Sequence, residues 1–342
     1  MNAKVQKMSG EDRMSTPITV QPSLAIERVL TIEIVRVTER AAVAAARLRG
    51  RGNEKAADQA AVDAMRRELN NLPIDGTVVI GEGDHDAMPM LYVSERVGTR
   101  QGPELDVACD ALEGAAICAT GGYNALSVIA IADRGSLLRV PDSYMDKIAC
   151  GPEGRGVVDL DRSPTDNLRV LADAKGVYVE DLTVVILDRP RHTRLIDEVR
   201  RAGARIKLIS SGDVSAALAT TKVETGIDIL MGIGGASQGI LAAAALVCLG
   251  GEMQARLKPR NEEEAAQARA LGVFDLGRKY GLDQLASGSV MFAATGITPG
   301  DYLTGVRYVK GGAVTNSVVM RSSTRTVRMI EAHHRFDRRP EY

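Results

Sequence analysis

Three times between Leu182 and Leu249 the chain repeats one order of events: a short β-branched run, a polar turn, then a segment suited to a helix. Leu182-Thr-Val-Val-Ile-Leu187 leads into Arg189-Pro-Arg-His192 and a helical stretch over 194–203. Arg205-Ile-Lys-Leu-Ile209 leads into Ser210-Ser-Gly-Asp213. Ile227-Asp-Ile-Leu-Met231 leads into Gly232-Ile-Gly-Gly-Ala-Ser-Gln-Gly239 and an alanine-rich helix over 240–249. Strands joined through helices run parallel in one sheet, so the fold class is α/β, with ligands expected at the carboxyl ends of the strands. The glycine-rich turn can receive a phosphate on its backbone N–H groups or simply let strand pack on helix. It lacks the Gly-Lys-Ser/Thr of a Walker loop and the GxGxxG spacing of a dinucleotide site.

The first half places acidic residues where such a fold places ligands. Apolar positions at helical spacing predict one long helix, or two end to end, over 23–50, and a second over 54–72 with Asp58 in its first turn. There Asp58 can stay solvated or point at a cation. Asp75-Gly76 turns the chain into the strand Thr77-Val-Val-Ile80, which ends in Gly81-Glu82-Gly-Asp84-His-Asp86. Asp106-Val-Ala-Cys-Asp110 is a second strand, breaking into a turn at Ala111-Leu-Glu113-Gly114. Carboxylates set among apolar and glycine residues are seldom buried unless paired or bound to metal. An all-oxygen set of Asp58, Glu82, Asp86, Asp110 and Glu113 suits a hard cation, magnesium or manganese. Arg189, Arg191, Lys147 and Tyr144 are groups able to hold phosphate, so the pattern describes metal-assisted phosphate chemistry.

Further on, the strand 125–132 is expected to form a hairpin with Ser136-Leu-Leu138. A strand over 290–296 follows, and a closing hairpin pairs 317–321 with 326–331. The charged stretch 262–271 reads as a solvated helix without chemistry, and Arg307, Arg321, Arg325 and Arg328 as surface charges. The 342 residues carry a net charge of −1, which gives no reason to expect nucleic acid or an anionic membrane as partner. Four cysteines without a CxxC pair fit reduced thiols in a cytoplasmic protein. Residues 1–22 form a polar leader expected to be disordered, and no apolar run reaches the roughly 20 residues of a membrane span. The expected organisation is a metal-binding half over 23–160 and a substrate-binding half over 161–342, tightly joined as one catalytic unit.

Asp75-Gly-Thr-Val-Val-Ile-Gly-Glu-Gly83, Ala87-Met-Pro-Met-Leu-Tyr92, Asp110-x-x-Glu113-Gly114, Pro141-Asp-x-Tyr-Met145, Arg189-Pro-Arg-His192, Gly232-Ile-Gly-Gly235 and Ala294-Thr-Gly-Ile-Thr298 closely resemble the class II fructose-1,6-bisphosphatases of bacteria. The likeness runs in register from about Ile32 to the C-terminus. It implies the layered α-β-α-β-α sandwich of the sugar-phosphatase superfamily, dependence on Mg2+ or Mn2+, and hydrolysis of the 1-phosphate of fructose 1,6-bisphosphate. Cyanobacterial relatives also take sedoheptulose 1,7-bisphosphate, and relatives form homodimers or homotetramers. By position the resemblance makes Asp58, Glu82, Asp110 and Glu113 metal ligands and Asp86 a catalytic carboxylate beside Glu82. It makes Glu113, Gly114, Ala115, Tyr144, Arg189, Pro190, Arg191, Ser211, Gly212, Asp213 and Gly235 contacts of the sugar phosphate.

The departures from the family fall in the same places. Ala115 stands where the family has a catalytic threonine, whose hydroxyl is thought to orient the attacking water. Gln238 stands where it has a metal-binding glutamate, keeping an oxygen but losing a charge. Glu54 replaces a lysine, and Ser211 replaces the first aspartate of an Asp-Gly-Asp sugar-binding turn. Three readings follow: a working phosphatase on fructose 1,6-bisphosphate, an enzyme shifted to another sugar phosphate, or a protein that binds sugar phosphate without turning it over.

Overall fold

The computed structural model describes residues 22–82 and 90–336, with side chains from residue 29 onward. Apart from Pro22 the expected leader lies outside the described residues, and so does Asp86. The chain opens with two packed helices, α1 (Pro22–Ala46) and α2 (Glu54–Leu69). The Asn53 side chain caps α2 by accepting from the Ala56 N–H at 3.0 Å. Asp58 lies one residue beyond its first turn.

The strands and helices then follow as β1 (Asp75–Ile80), β2 (Arg96–Val97), β3 (Glu104–Glu113), α3 (Ala115–Thr120), β4 (Leu126–Asp133) and β5 (Tyr144–Cys150). Next come α4 (Pro164–Lys175), β6 (Thr183–Leu187), α5 (Thr193–Ala202), β7 (Arg205–Ile209), α6 (Asp213–Ala219), β8 (Ile229–Gly235) and α7 (Ala236–Leu249). The chain closes with β9 (Glu252–Lys258), α8 (Glu262–Ala270), β10 (Tyr280–Gly281), α9 (Leu282–Leu285), β11 (Val290–Gly296), β12 (Arg307–Val309), β13 (Gly312–Arg321) and β14 (Thr326–Arg335).

The strands form two mixed sheets. One has the order β12-β13-β11-β4-β3-β1-β2, with β14 on the outer edge of β13; the other is β10-β9-β5-β8-β6-β7. The chain crosses to the second sheet between β4 and β5 and returns to the first at β11. Strands β6, β7 and β8 are parallel, as their helical crossovers require.

Side-chain alternation shows how the layers stack. Along β4, Val128, Ala130 and Ala132 enter one apolar cluster with α6 and α7, while Ile129 and Ile131 enter another with α1 and α2. Along β6, Val185 joins the α6–α7 cluster, and Val184 and Ile186 face α4 and α5. Both sheets are therefore covered on two faces, giving an α-β-α-β-α sandwich with α6 and α7 in the middle layer.

The closing hairpin forms as expected, with Arg321 opposite Thr326. The hairpin expected after β4 does not. Both edges of β4 are taken, by β3 and β11, so Leu137 bridges Ala286 instead. Arg321 is buried rather than on the surface. Helix α8 is solvated on one side only, since Glu264, Ala265 and Ala268 are buried. Phe292 lies in the middle layer and is fully buried. Phe292→Ala should cost about 3–5 kcal/mol in urea unfolding, against under about 0.5 for Phe274→Ala at the surface.

Candidate active site

The site begins with an irregularity in β3. A regular strand would point Asp110 and Glu113 to opposite faces, because they are three apart. The pairing with β4 instead shifts register between them, from Asp110 opposite Val128 to Glu113 opposite Leu126. Ala111 and Leu112 both join the outer apolar cluster in consequence, and Asp110 and Glu113 both line one cavity. The expected turn is a β-bulge that re-aims two carboxylates to the same side. Gly114, at φ 94°, then turns the chain into α3.

Glu82 reaches the same place from the end of β1, accepting from the Ala111 N–H at 2.8 Å. Burial pushes Glu82 well above the ordinary carboxylate range, and the charges of Asp110 and Asp58 push it further. Asp58 is raised by burial. Asp110 is raised by burial to about 6, with the charge of Asp58 adding to the rise and a 3.0 Å bond from Gln238 Nε2 opposing it. Glu113 is raised well above its usual value by burial, then by Asp110 and Asp213, against the opposing pull of Lys147. Its Oε2 is buried with no hydrogen-bond partner among the described residues.

Four carboxylates thus sit close enough to hinder one another's ionisation. No three His, Cys, Asp or Glu side chains among the described residues close on one point, and like charge opposes a tighter approach. The all-oxygen donors, the crowded charge and the unpartnered Glu113 oxygen fit a hard divalent cation.

The second sheet supplies the opposite wall. The Gly232–Gly235 run is not a loop: β8 continues to Gly235, and its glycines are sites of close packing. A Cβ at Gly232, where φ is +121°, would meet His192 Nε2 at 2.9 Å, and one at Gly234 would meet Asp213 Oδ2 at 2.0 Å. Lys147, 2% exposed, bonds to Asp213 and donates to the Gly235 carbonyl at 3.0 Å. It therefore does not serve as the phosphate-holding group expected from the sequence. His192 is buried, accepts from the Ile233 N–H at 2.8 Å through Nε2, and so presents an Nδ1 proton to the Leu187 carbonyl at 2.7 Å. These two bonds fix the 3-10 turn Pro190–His192 that presents the arginines. Arg189 donates to the carbonyls of Asp188 and Ser210, and Arg191 to that of Ile233. Neither meets a carboxylate among the described residues.

Asp110, Glu113, Gly114, Tyr144, Arg189, Arg191, Ser211, Asp213, Gly235 and Gln238 all line one cavity of about 280 Å³. Gly212 lines the neighbouring hollow. Pro190 and Ala115 line neither, although each adjoins a residue that does; Ala115 packs towards the α1–α2 cluster. Glu54 is exposed at the start of α2 and is not among the residues lining the cavity. Sequence reasoning missed Asp142, Ser143, Leu187, Ser210 and Gly234, which complete the lining. Only the strand pairing of β5 with β8, which sets Tyr144 opposite Gly235, brings Asp142 and Ser143 here.

Residues 28–334 match the family described as bacterial fructose-1,6-bisphosphatase, glpX-encoded. The chain belongs to this family. It is 44% identical over 337 residues to the D-fructose 1,6-bisphosphatase class 2/sedoheptulose 1,7-bisphosphatase of a Synechococcus strain (JA-3-3Ab), covering 91% of this chain and 97% of that one. Its identity to the protein of the same name from Synechococcus elongatus is 43% over 337 residues, covering 91% of this chain and 98% of that one.

Asp110 has a testable signature. Its carboxyl is raised from 3.8 to about 6, so between those values the folded chain binds more protons than the unfolded one and rising pH lowers stability. In chelator, Asp110→Asn should gain stability relative to wild type as pH rises from about 4 to about 6, read by urea titration. A pH-independent difference would contradict this.

Proposed function

We propose that this chain is a divalent-metal-dependent phosphomonoesterase that hydrolyses the 1-phosphate of fructose 1,6-bisphosphate, a step of gluconeogenesis. One observation carries the reading: a single cavity has Asp110 and Glu113 on one wall and Arg189, Arg191 and Tyr144 on the other. A sugar carrying two phosphates meets both requirements of such a cavity. One phosphate lies by the carboxylates and the other by the guanidinium groups, whose planar forks bind phosphate oxygens in pairs.

Asp58, Glu82, Asp110 and Glu113 would hold Mg2+ or Mn2+, with Asp86 as a nearby catalytic carboxylate. When bound, the metal neutralises phosphoryl oxygens and lowers the pKa of an attacking water. The protein's own work is placement. Lys147 holds Asp213 towards the sugar, His192 fixes the arginine turn, and the β3 bulge aims the carboxylates. Gln238 donates to Asp110, so its amide nitrogen occupies Asp110 Oδ2 where relatives' glutamate would add a charge. The two sheets act as one catalytic unit, and the protein works in the cytoplasm as a homodimer or homotetramer.

Ser211, short and neutral, lines the cavity where the family's turn has an aspartate, which favours testing a longer sugar beside the first. Phosphate release from fructose 1,6-bisphosphate and sedoheptulose 1,7-bisphosphate with Mg2+ or Mn2+ decides the reading. Release by the wild type is expected, and because Ala115 packs towards the α1–α2 cluster and does not line the cavity, Ala115→Thr alone should change kcat by less than about threefold. A silent wild type beside an active Ala115→Thr/Gln238→Glu pair would leave sugar-phosphate binding alone; silence of both would end the phosphatase reading.

Gln238→Glu makes a separate prediction. Without metal it sets a fourth carboxylate against Asp110, beside Asp58, Glu82 and Glu113, and removes the 3.0 Å bond, so Tm in chelator should fall. With Mn2+ its Tm should rise further above the chelator value than that of the wild type. Equal metal-induced shifts would show that position 238 does not face the ion.

A further inference from the structure

The charged stretch that follows β9 bears on the cavity. Asn261 caps α8 by accepting from the Glu264 N–H at 2.9 Å, and the buried Glu264 carboxylate reaches back one residue beyond the cap. It accepts from the Arg260 N–H at 2.8 Å and from Arg260 Nε. The Arg260 Nη2 donates to the Asp142 carbonyl at 3.1 Å. An arginine that is half exposed is thus held by three bonds, two of them to a buried carboxylate. The cap of α8 acts as a clamp on one guanidinium.

The clamp holds it against the cavity wall, in contact with Asp142 and Tyr144, although Arg260 itself is not among the lining residues. Arg260 Cζ lies 5.1 Å from the centroid of the Tyr144 ring, and Arg191 Cζ lies 4.6 Å from the same centroid. Two guanidinium groups drawn to one ring repel each other while each is attracted to its face. Arg191 has no ion-pair partner among the described residues, and neither has Arg189, so these three positive charges face two carboxylates, Glu264 in an ion pair with Arg260 and Asp142 acting on it through space. Asp142 and Tyr144, the two residues that Arg260 touches besides Glu264, both line the cavity. Such an excess of positive charge around an aromatic ring is offset by an anion with several acceptor oxygens.

We propose that Arg260 is a specificity-determining residue: with Arg191 and Tyr144 it holds the phosphate that is not hydrolysed, and so favours doubly over singly phosphorylated sugars. The inference rests on the reading of the cavity as a sugar-bisphosphate site. Arg260 makes no contact with Asp58, Glu82, Asp110 or Glu113, so its loss weakens binding without reaching the bond that breaks.

Fructose 6-phosphate carries only the phosphate that Arg260 would hold, and its binding needs no turnover. Calorimetry on the full chain should show Arg260→Met binding fructose 6-phosphate about tenfold more weakly than the wild type, the loss expected of one charged hydrogen-bonding partner. Arg260→Lys keeps the charge without the planar fork and should lose about threefold. In turnover, Arg260→Met should raise KM for fructose 1,6-bisphosphate with kcat within about twofold, while KM for fructose 1-phosphate stays within about twofold. A folded Arg260→Met, or an Arg260→Lys, that binds fructose 6-phosphate as the wild type does would overturn the proposal, as would a wild type that does not bind it. Should the wild type bind fructose 6-phosphate yet release no phosphate from the bisphosphate, the phosphatase reading fails and the role of Arg260 is still decided by the binding series.

Discussion

A lysine buried to 2% exposure holds the middle of this molecule together. An ammonium there is tolerable only with partners on hand, and Lys147 has the Asp213 carboxylate and the Gly235 carbonyl. Through them β5, α6 and β8 meet at one point, at the level where the cavity opens. Their closeness excludes any side chain at Gly234, and the charge of Lys147 reaches Glu113 on the other sheet. Removing either partner would leave an uncompensated charge in the core. The pair is structural, yet it also decides which way Asp213 faces.

Across the cavity the problem is the reverse, too much of one charge. Glu82, Asp110 and Glu113 are each pushed upward by burial and by a neighbouring carboxylate. Backbone N–H groups of Ala111 and Val214 and the Gln238 amide offset part of this crowding. The proposed cation would offset the rest. The walls are therefore electrostatic opposites: carboxylates delivered by the first sheet, guanidinium groups delivered by the second. A polar ligand with phosphate at both ends suits that division better than an apolar one.

Much of this was legible in the sequence because periodicity reports burial directly. The three strand–turn–helix units, both opening helices and the final hairpin all follow from apolar spacing, and the acidic ends of β1 and β3 marked the cavity. What could not be read depended on long-range pairing. The β3 bulge is set by its register with β4, and that register decides that Asp110 and Glu113 share a face. The Gly232–Gly235 run looked like a loop because glycine usually marks one; here it is strand, thinned for His192 and Asp213. Lys147 looked like a phosphate ligand by residue type alone, and burial gives it other work. Arg260 carried no signal at all, since its partners Tyr144 and Asp142 lie more than a hundred residues upstream. The family resemblance found the cavity residues and the departures at Ala115, Ser211 and Gln238, but not the direction in which Ala115 packs.

The proposed activity requires the β3 carboxylates to hold a divalent cation beside a sugar phosphate. Anomalous diffraction from a crystal grown with Mn2+ and fructose 6-phosphate tests it most directly. A manganese peak bonded to carboxylate oxygens of Asp110 and Glu113 is expected, with the phosphate among Tyr144, Arg191 and Arg260. Manganese bound elsewhere, with Glu113 Oε2 still unpartnered, would contradict it.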